Sequence, residues 1–431
     1  MLDSLFEFIE ASPSPYHAAA SAADRLSAAG LLEAGRSEDW SELDLAVGLT
    51  VRDGGTVVAA RAGPDVDPEQ LRFSVIGAHT DSPNLRLRPQ PDTGALGYRQ
   101  LGVEIYGGVL LNSWLDRDLG LSGRLVVQDG TDSATGAGPE TVLWRCDRAL
   151  LRVPQLAIHL DRDVNDGLKL DRQQHMTPVW GLGEPSADGF RSFLAEELAV
   201  VPDAVLAWDV MAHDLTPPAR LGRNGEMYAA GRIDNLASCH AAVEALAGLS
   251  AVPDNTAAVV VLFDHEEIGS DSATGASSPI LADALERIAA ALGADRSQYL
   301  RAVARSLCVS ADGAHAVHPN YPERHEPQHL PALNGGPVIK TNANVRYATD
   351  ARTSARFAAA CDTAGVPHQI YSHRGNLPCG STIGPITASR LGMSVVDVGS
   401  PMLSMHSARE LGGSDDPAML TAALGAFLAD G

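Results

Sequence analysis

A chain of 431 residues, 45 % hydrophobic and 20 % charged, has the material for two packed domains and excludes a disordered or fibrous polymer. Its net charge of −22 argues against nucleic acid and anionic membrane as partners, because phosphate binding needs a basic face. No apolar run approaches the ~20 residues of a membrane span, and acids stand in the first ten residues where a secretion signal carries Lys or Arg, so a cytoplasmic location is expected.

The chain opens on a helical pattern with Leu2, Leu5, Phe6 and Ile9 on one face. Ser14 and Pro15 then supply an N-cap and a first-turn proline for a second, Ala-rich helix to about residue 32. Residues 50–61 and 71–78 read as strands. From 89 to 231 the rhythm changes to short alternating runs at 103–106, 123–128, 141–145, 155–160 and 204–210, with one helix near 190–198. This stretch is expected to form a strand-rich inserted domain that serves oligomerisation, which leaves 1–88 and 232–431 as a discontinuous catalytic domain.

Past 231 the pattern returns to strand, loop and helix. Helices are expected at 235–249, 280–292, 351–363, 383–391 and 417–429, and strands at 257–263, 307–310, 337–340, 369–371 and 394–398. Alternation of this kind predicts an α/β fold whose central mixed sheet is flanked by helices on both faces.

The run V-V-V-L-F-D-H-E-E-I-G-S at 259–270 predicts a buried strand that delivers acids at its end. Taken alone, Glu266 and Glu267 would be a solvated turn, yet four other places share the pattern. A strand ends at His79 with Asp81 two residues on, close enough for Asp81 to orient the imidazole and so take part in catalysis. Asp234 stands just before a helix, where a capping role is the plainer reading. A third strand runs into Asp312, His315 and His318, and a fourth precedes His406. Ligands in open α/β sheets gather outside the carboxyl ends of strands, so His79, Asp234, Glu266, Glu267, Asp312 and His406 are expected to converge. Nitrogen and oxygen donors without sulfur suit catalytic zinc, and five ligands are enough for two ions that share a carboxylate. The five cysteines contain no C-x-x-C pair and read as buried thiols.

His325-Glu326-Pro327-Gln328-His329 matches H-E-x-x-H, but four prolines between 319 and 331 break the helix that a zincin needs. Only Lys169 and Lys340 are lysine among 32 basic residues, a bias that draws attention to both.

The order of ligands resembles the co-catalytic dizinc aminopeptidases, and the motif wording resembles the aspartyl aminopeptidase family. The matching stretches are S-P-Y-H-A at 14–18, G-A-H-T-D-S-P at 77–83, A-I-H-L-D-R at 157–162, R-I-D-N-L at 232–236 and D-H-E-E-I-G-S at 264–270. They continue with S-A-D-G-A-H-A-V-H-P-N-Y at 310–321, G-P-V-I-K at 336–340, C-G-S-T-I-G-P at 379–385 and M-H-S-A-R-E at 405–410. The resemblance implies two Zn²⁺ per subunit, with Co²⁺ or Mn²⁺ as substitutes: His79 and Asp312 on one ion, Glu267 and His406 on the other, and Asp234 bridging. It also implies Glu266 as general base toward a metal-bridged water, and substrate contacts from His315, Lys340 and Tyr347. His159 would reach a neighbouring subunit's site within a homo-oligomer of twelve chains. The expected activity is zinc-dependent removal of N-terminal Asp or Glu from peptides. A broad or neutral-residue dizinc enzyme and a catalytically idle self-assembling scaffold are the alternatives.

Overall fold

The computed structural model describes residues 1–128 and 138–430, which form two compact units. The first contains Met1–Asp81, Pro218–Met405 and Glu410–Gly431; the second contains Ser82–Pro217 and His406–Arg409. These borders differ from 88/89 and 231/232 because strand pairing draws them. Asn84–Ala95 pairs inside the second unit's sheet, while Ala219–Leu221 and Met227–Ala230 pair inside the first.

The first unit is built on a nine-stranded sheet. Its middle runs Thr256–Phe263, Arg72–His79, Leu307–Ala311, Ser394–Gly399, four strands parallel to one another, with antiparallel partners outside them at Thr56–Ala62 and Val338–Thr341. On one side the sheet continues through Thr56–Ala62, Leu49–Asp53 and Leu32–Glu33; on the other, through Val338–Thr341 and Gln369–Ser372. This is the mixed α/β architecture expected.

Successive strand side chains point to opposite faces, so each central strand feeds two cores. Ala258, Val260 and Leu262 enter one core with Leu236, Val243, Leu424 and Phe427 from the helices Ile233–Ala247 and Asp416–Asp430. Ala257, Val259 and Val261 enter the other with Leu281, Leu285 and Ile288 from Ile280–Ala291. A second sheet of five strands, ordered Ala219–Leu221, Met227–Ala230, Glu410–Gly413, Pro401–Leu403, Ala314–His315, belongs to the same unit.

Several elements depart from the sequence reading. The second helix ends at Ala28, and residues 50–61 are two strands, Leu49–Asp53 and Thr56–Ala62, folded back at Gly54 with φ 60°. Arg296–Arg305 is a helix that a mostly polar sequence hid; Asp295 and Gln298 close a capping box at its start. The N-cap at Ser14 is as expected, accepting the His17 amide hydrogen.

The second unit is a six-stranded antiparallel sheet ordered Glu140–Leu151, Leu119–Val127, Val205–Asp214, Asn84–Ala95, Tyr98–Tyr106, Val179–Leu182. The helix Gly189–Leu198 seats Phe190 and Phe193 among Trp144, Trp180 and Trp208. The expected strand at 155–160 is absent: the segment is irregular and ends in a turn, exposing Leu156, Ile158 and Leu160. Among the described residues no helix is long and apolar enough to cross a membrane.

Gly399 ends the Ser394–Gly399 strand against the main chain that carries Asp312, where an added Cβ would lie 1.6 Å from the Asp312 carbonyl oxygen. Backbone must move to admit it, so Gly399→Ala is expected to lower stability by about 1–3 kcal/mol or more. Thermal melts measure this; an unchanged Tm would show that the strand end shifts without cost.

Candidate metal centre

The carboxyl ends of the parallel strands deliver the candidate site. His79 is the last residue of Arg72–His79, Asp312 follows Leu307–Ala311, and the Asp264–Glu267 stretch follows Thr256–Phe263. Asp234 comes from the start of Ile233–Ala247, where it and Asn235 keep non-helical backbone angles, so the regular helix begins after them. Positive φ recurs at these turns: Arg232 at 59°, His265 at 65° and His406 at 67°. Non-glycine residues rarely hold this conformation, and here it re-aims the chain close to Asp234, at the Glu266–Glu267 pair and at His406.

His79 is the hub. Its ring is 1 % exposed, and its Nε2 lies 3.3 Å from Asp312 Oδ1, 3.4 Å from Asp234 Oδ1 and 3.9 Å from Glu266 Oε2. Two donor sets form within the first unit, His79 with Asp234 and Asp312, and His79 with Glu266 and Glu267; in each, one ligand atom per residue lies within 4.8 Å of the others. The Nδ1 nitrogen is 3.0 Å from the Asp81 carbonyl oxygen and 3.5 Å from the Asp81 carboxylate. Asp81 therefore meets the imidazole mainly through its main chain. Its buried carboxylate accepts the amide hydrogens of Glu266 at 3.0 Å and Glu267 at 3.1 Å, which fixes the backbone of both glutamates.

Burial alone raises the Glu266 pKa, and Asp312, Asp81 and Asp234 add to it against the opposing pull of His79, bringing it to about 8. Burial and Asp234 likewise push Glu267 well up. Burial disfavours a charged His79, yet Asp234, Asp312 and Asp81 outweigh it and raise the imidazole's pKa. So many acids around one ring call for positive charge at their centre. Imidazole nitrogen and carboxylate oxygen are what a zinc ion takes at a catalytic site. Cys239 is not part of the donor set: its thiol donates to the His79 carbonyl oxygen at 2.9 Å, and burial pushes its pKa up to about 12. The donors present therefore fit zinc.

Other residues hold these donors, and the sequence reading passed over them. Buried Glu410 accepts the Asp234 amide hydrogen at 3.0 Å, and the Asn235 side-chain amide donates to the Ala311 carbonyl at 2.9 Å. Glu410 closes the quoted M-H-S-A-R-E run, the one signal that pointed toward it.

His406 lies in the four-residue stretch His406–Arg409 that groups with the second unit. The Gly108 carbonyl stands 3.0 Å from its Nδ1; a carbonyl can only accept, so Nδ1 carries the hydrogen and Nε2 the lone pair of the neutral ring. His159 is exposed on a turn in the second unit.

Lys340 is only 2 % exposed and donates to the carbonyl oxygens of Gly313 at 3.1 Å and Asp312 at 3.3 Å. Its ammonium also lies 3.7 Å from Asp312 Oδ2 and 5.1 Å from the ring centre of buried Tyr347. His315 keeps an exposed edge, while its ring packs 6.0 Å from Tyr371. Partial burial and then Lys340 lower its pKa, so it is neutral at physiological pH. The H-E-x-x-H match at 325–329 is not helical; His329 instead hydrogen-bonds Glu326 locally.

Comparison with known proteins places this geometry. The family profile "Aminopeptidase I zinc metalloprotease (M18)" matches residues 8–428. A "Probable M18 family aminopeptidase 2" from Streptomyces coelicolor is 52 % identical over 430 residues, covering 99 % of this chain and 97 % of that protein. Its namesake in Mycobacterium tuberculosis is 49 % identical over 432 residues, covering 98 % and 97 %. Among solved structures, a chain of the cryo-EM structure of the Ape4 and Nbr1 complex superposes with a TM-score of 0.94 at 36 % identity, covering 100 % of this chain and 85 % of that one. A chain of the S. cerevisiae mApe1 dodecamer gives 0.85 at 25 % identity, covering 99 % and 95 %. With motifs, fold and whole-length similarity in agreement, the chain belongs to the M18 family of zinc aminopeptidases.

Proposed function

We propose that this aminopeptidase removes N-terminal residues from peptides with a preference for Asp or Glu, using two zinc ions per subunit. The observation that carries the catalytic part is the acid cluster closed around His79 with Glu266 at its edge. His79 and Asp312 would hold one ion, Glu267 and His406 the other, and Asp234 both. Bound there, zinc supplies Lewis-acid activation of water and neutralises the negative charge developing on the scissile carbonyl.

The chain's own residues do the rest. Glu266 takes a proton from the attacking water and returns it to the departing amine, which requires it ionised; positive charge in the cluster lowers its raised pKa to allow this. Asp81, by accepting two consecutive main-chain hydrogens, keeps Glu266 from drifting away from that path. Glu410 does the same for Asp234.

Acidic specificity draws support from Lys340, whose ammonium sits beside Tyr347. Exposed His315 completes the group of substrate contacts. Broad specificity is a second reading, favoured by one observation: Lys340 already donates to two main-chain carbonyls. The second unit is proposed to serve subunit contact, supported by the exposed Leu156, Ile158 and Leu160 around His159. In that assembly, a homo-oligomer of up to twelve chains in the cytoplasm, His159 would reach a neighbouring site.

Glu266→Gln should retain zinc while kcat falls by roughly 10²–10⁴-fold, and Asp234→Ala should lose metal as well. Metal analysis beside kinetics on an Asp-capped chromogenic amide separates the two; near-normal turnover of Glu266→Gln would remove it as the base.

Chelation should expose the acid cluster as a pH-dependent liability. Glu266 has a folded pKa raised above its unfolded value, so its contribution to stability is fully present below about 4.5 and is lost as pH rises toward 8. The raised His79 acts in the same direction at alkaline pH. Melting of the zinc-free protein at pH 5.5 and 8.5 should show lower stability at 8.5, and zinc should narrow the gap. Equal gaps with and without zinc would place the ion elsewhere.

Lys340→Met should cut kcat/KM for an N-terminal Asp by roughly 10- to 150-fold, the worth of a charge-assisted hydrogen bond, and cut it much less for Leu. Equal losses on both substrates would favour the broad reading.

A further inference from the structure

Asp397 has no part in the chemistry described so far, yet it is fully buried in the Ser394–Gly399 strand with its Cα paired to that of Lys340. Its Oδ2 accepts the Ala348 amide hydrogen at 2.6 Å, and its Oδ1 accepts the Thr382 hydroxyl at 2.5 Å. The Asp397 amide donates to Thr349 Oγ1 at 2.9 Å, and its Cα is paired with that of Ser310 in the neighbouring parallel strand. One residue thus ties Ala348, Thr349 and Thr382 together, on a strand that is itself paired with the strand leading to Asp312.

The fit is close. A Cβ on Gly384 would stand 2.3 Å from Asp397 Oδ2, so glycine there lets the helix Ile383–Leu391 start directly against the carboxylate. The two segments that Asp397 joins also touch each other, through Ser381 Oγ donating to the Arg346 carbonyl at 3.2 Å and through Cys379 packing against the cluster that contains Tyr347. Tyr347 faces the Lys340 ammonium from one of them.

A buried carboxylate is costly unless donors satisfy it, and a hydrophobic residue would pack this position without that cost. What a carboxylate adds is several acceptor sites on one rigid group. We propose that Asp397 is the positioning residue of the substrate pocket, holding Tyr347 and the 379–384 segment at a set spacing from Lys340 and so tuning which N-terminal side chain is bound. This rests on the reading of Tyr347 and Lys340 as substrate contacts.

Asp397→Asn keeps the shape but removes the charge and one acceptor. On the zinc-loaded enzyme, KM for an Asp-capped amide should rise about tenfold, with kcat changed less than about threefold and zinc content unchanged. KM for a Leu-capped amide should change differently, so that the Asp-to-Leu ratio moves. Thr382→Val, which removes one donor, should shift the same ratio by a smaller factor and stands in if Asp397→Asn does not fold. A lower Tm with both KM values and their ratio intact overturns the proposal. Tyr347→Phe and Lys340→Met run in parallel identify which idea fails. If they change selectivity and Asp397→Asn does not, positioning by Asp397 is wrong; if neither changes it, the pocket reading and this proposal fall together.

Discussion

Mutual repulsion among carboxylates is the constraint on which the rest of this structure depends. Two like charges about 4 Å apart in a medium of effective dielectric constant near 20 repel by about 4 kcal/mol, more than a typical hydrogen bond returns. Asp234, Glu266, Glu267 and Asp312 are gathered at that scale around a single imidazole. An arrangement of this kind persists if a cation or bound protons neutralise it and if the scaffold holds it from behind. The raised pKa values of Glu266, Glu267 and His79 express the same demand in the language of protons.

The scaffold meets that demand with strands that cannot easily move. Thr256–Phe263 is buried along its whole length and bonded on both sides, so its end is fixed to within the pleat of the sheet. Around the ends, a second layer of acids turns backbone hydrogens into anchors. Asp81 grips two consecutive amides, Glu410 grips the Asp234 amide, and Asp397 grips Ala348. Acidic side chains therefore serve in two capacities here, as candidate ligands and as rigid acceptors for main-chain donors.

The sequence disclosed most of the ligand candidates because they stand just past short apolar runs, with Asp234 before a helix as the exception, and the alternation of those runs with helical stretches was enough for the sheet. It disclosed less where local pattern and tertiary context disagree. Gly54 and Gly55 interrupt an otherwise continuous strand pattern at 50–61, and only pairing shows the fold-back. Residues 155–160 alternate like a strand yet find no partner among the described residues. Glu410 and Asp397 look like ordinary strand acids in one dimension; their roles come from contacts with residues far away in the chain. Asp81 was noticed for its nearness to His79, but its grip on the glutamates crosses a long sequence separation that no motif spells out.

The alternation of Ala257, Val259 and Val261 with Ala258, Val260 and Leu262 between two cores also makes this chain intolerant of length polymorphism. Inserting or deleting a single residue within that strand would swap its two faces and rotate Asp264 through Glu267 away from His79 in the same event. A lineage can therefore drift freely in the volumes of these side chains, one repacking at a time, while indels stay confined to loops away from the sheet. Folding stability and the aim of the acidic turn are inherited together, because one pleated ribbon sets both.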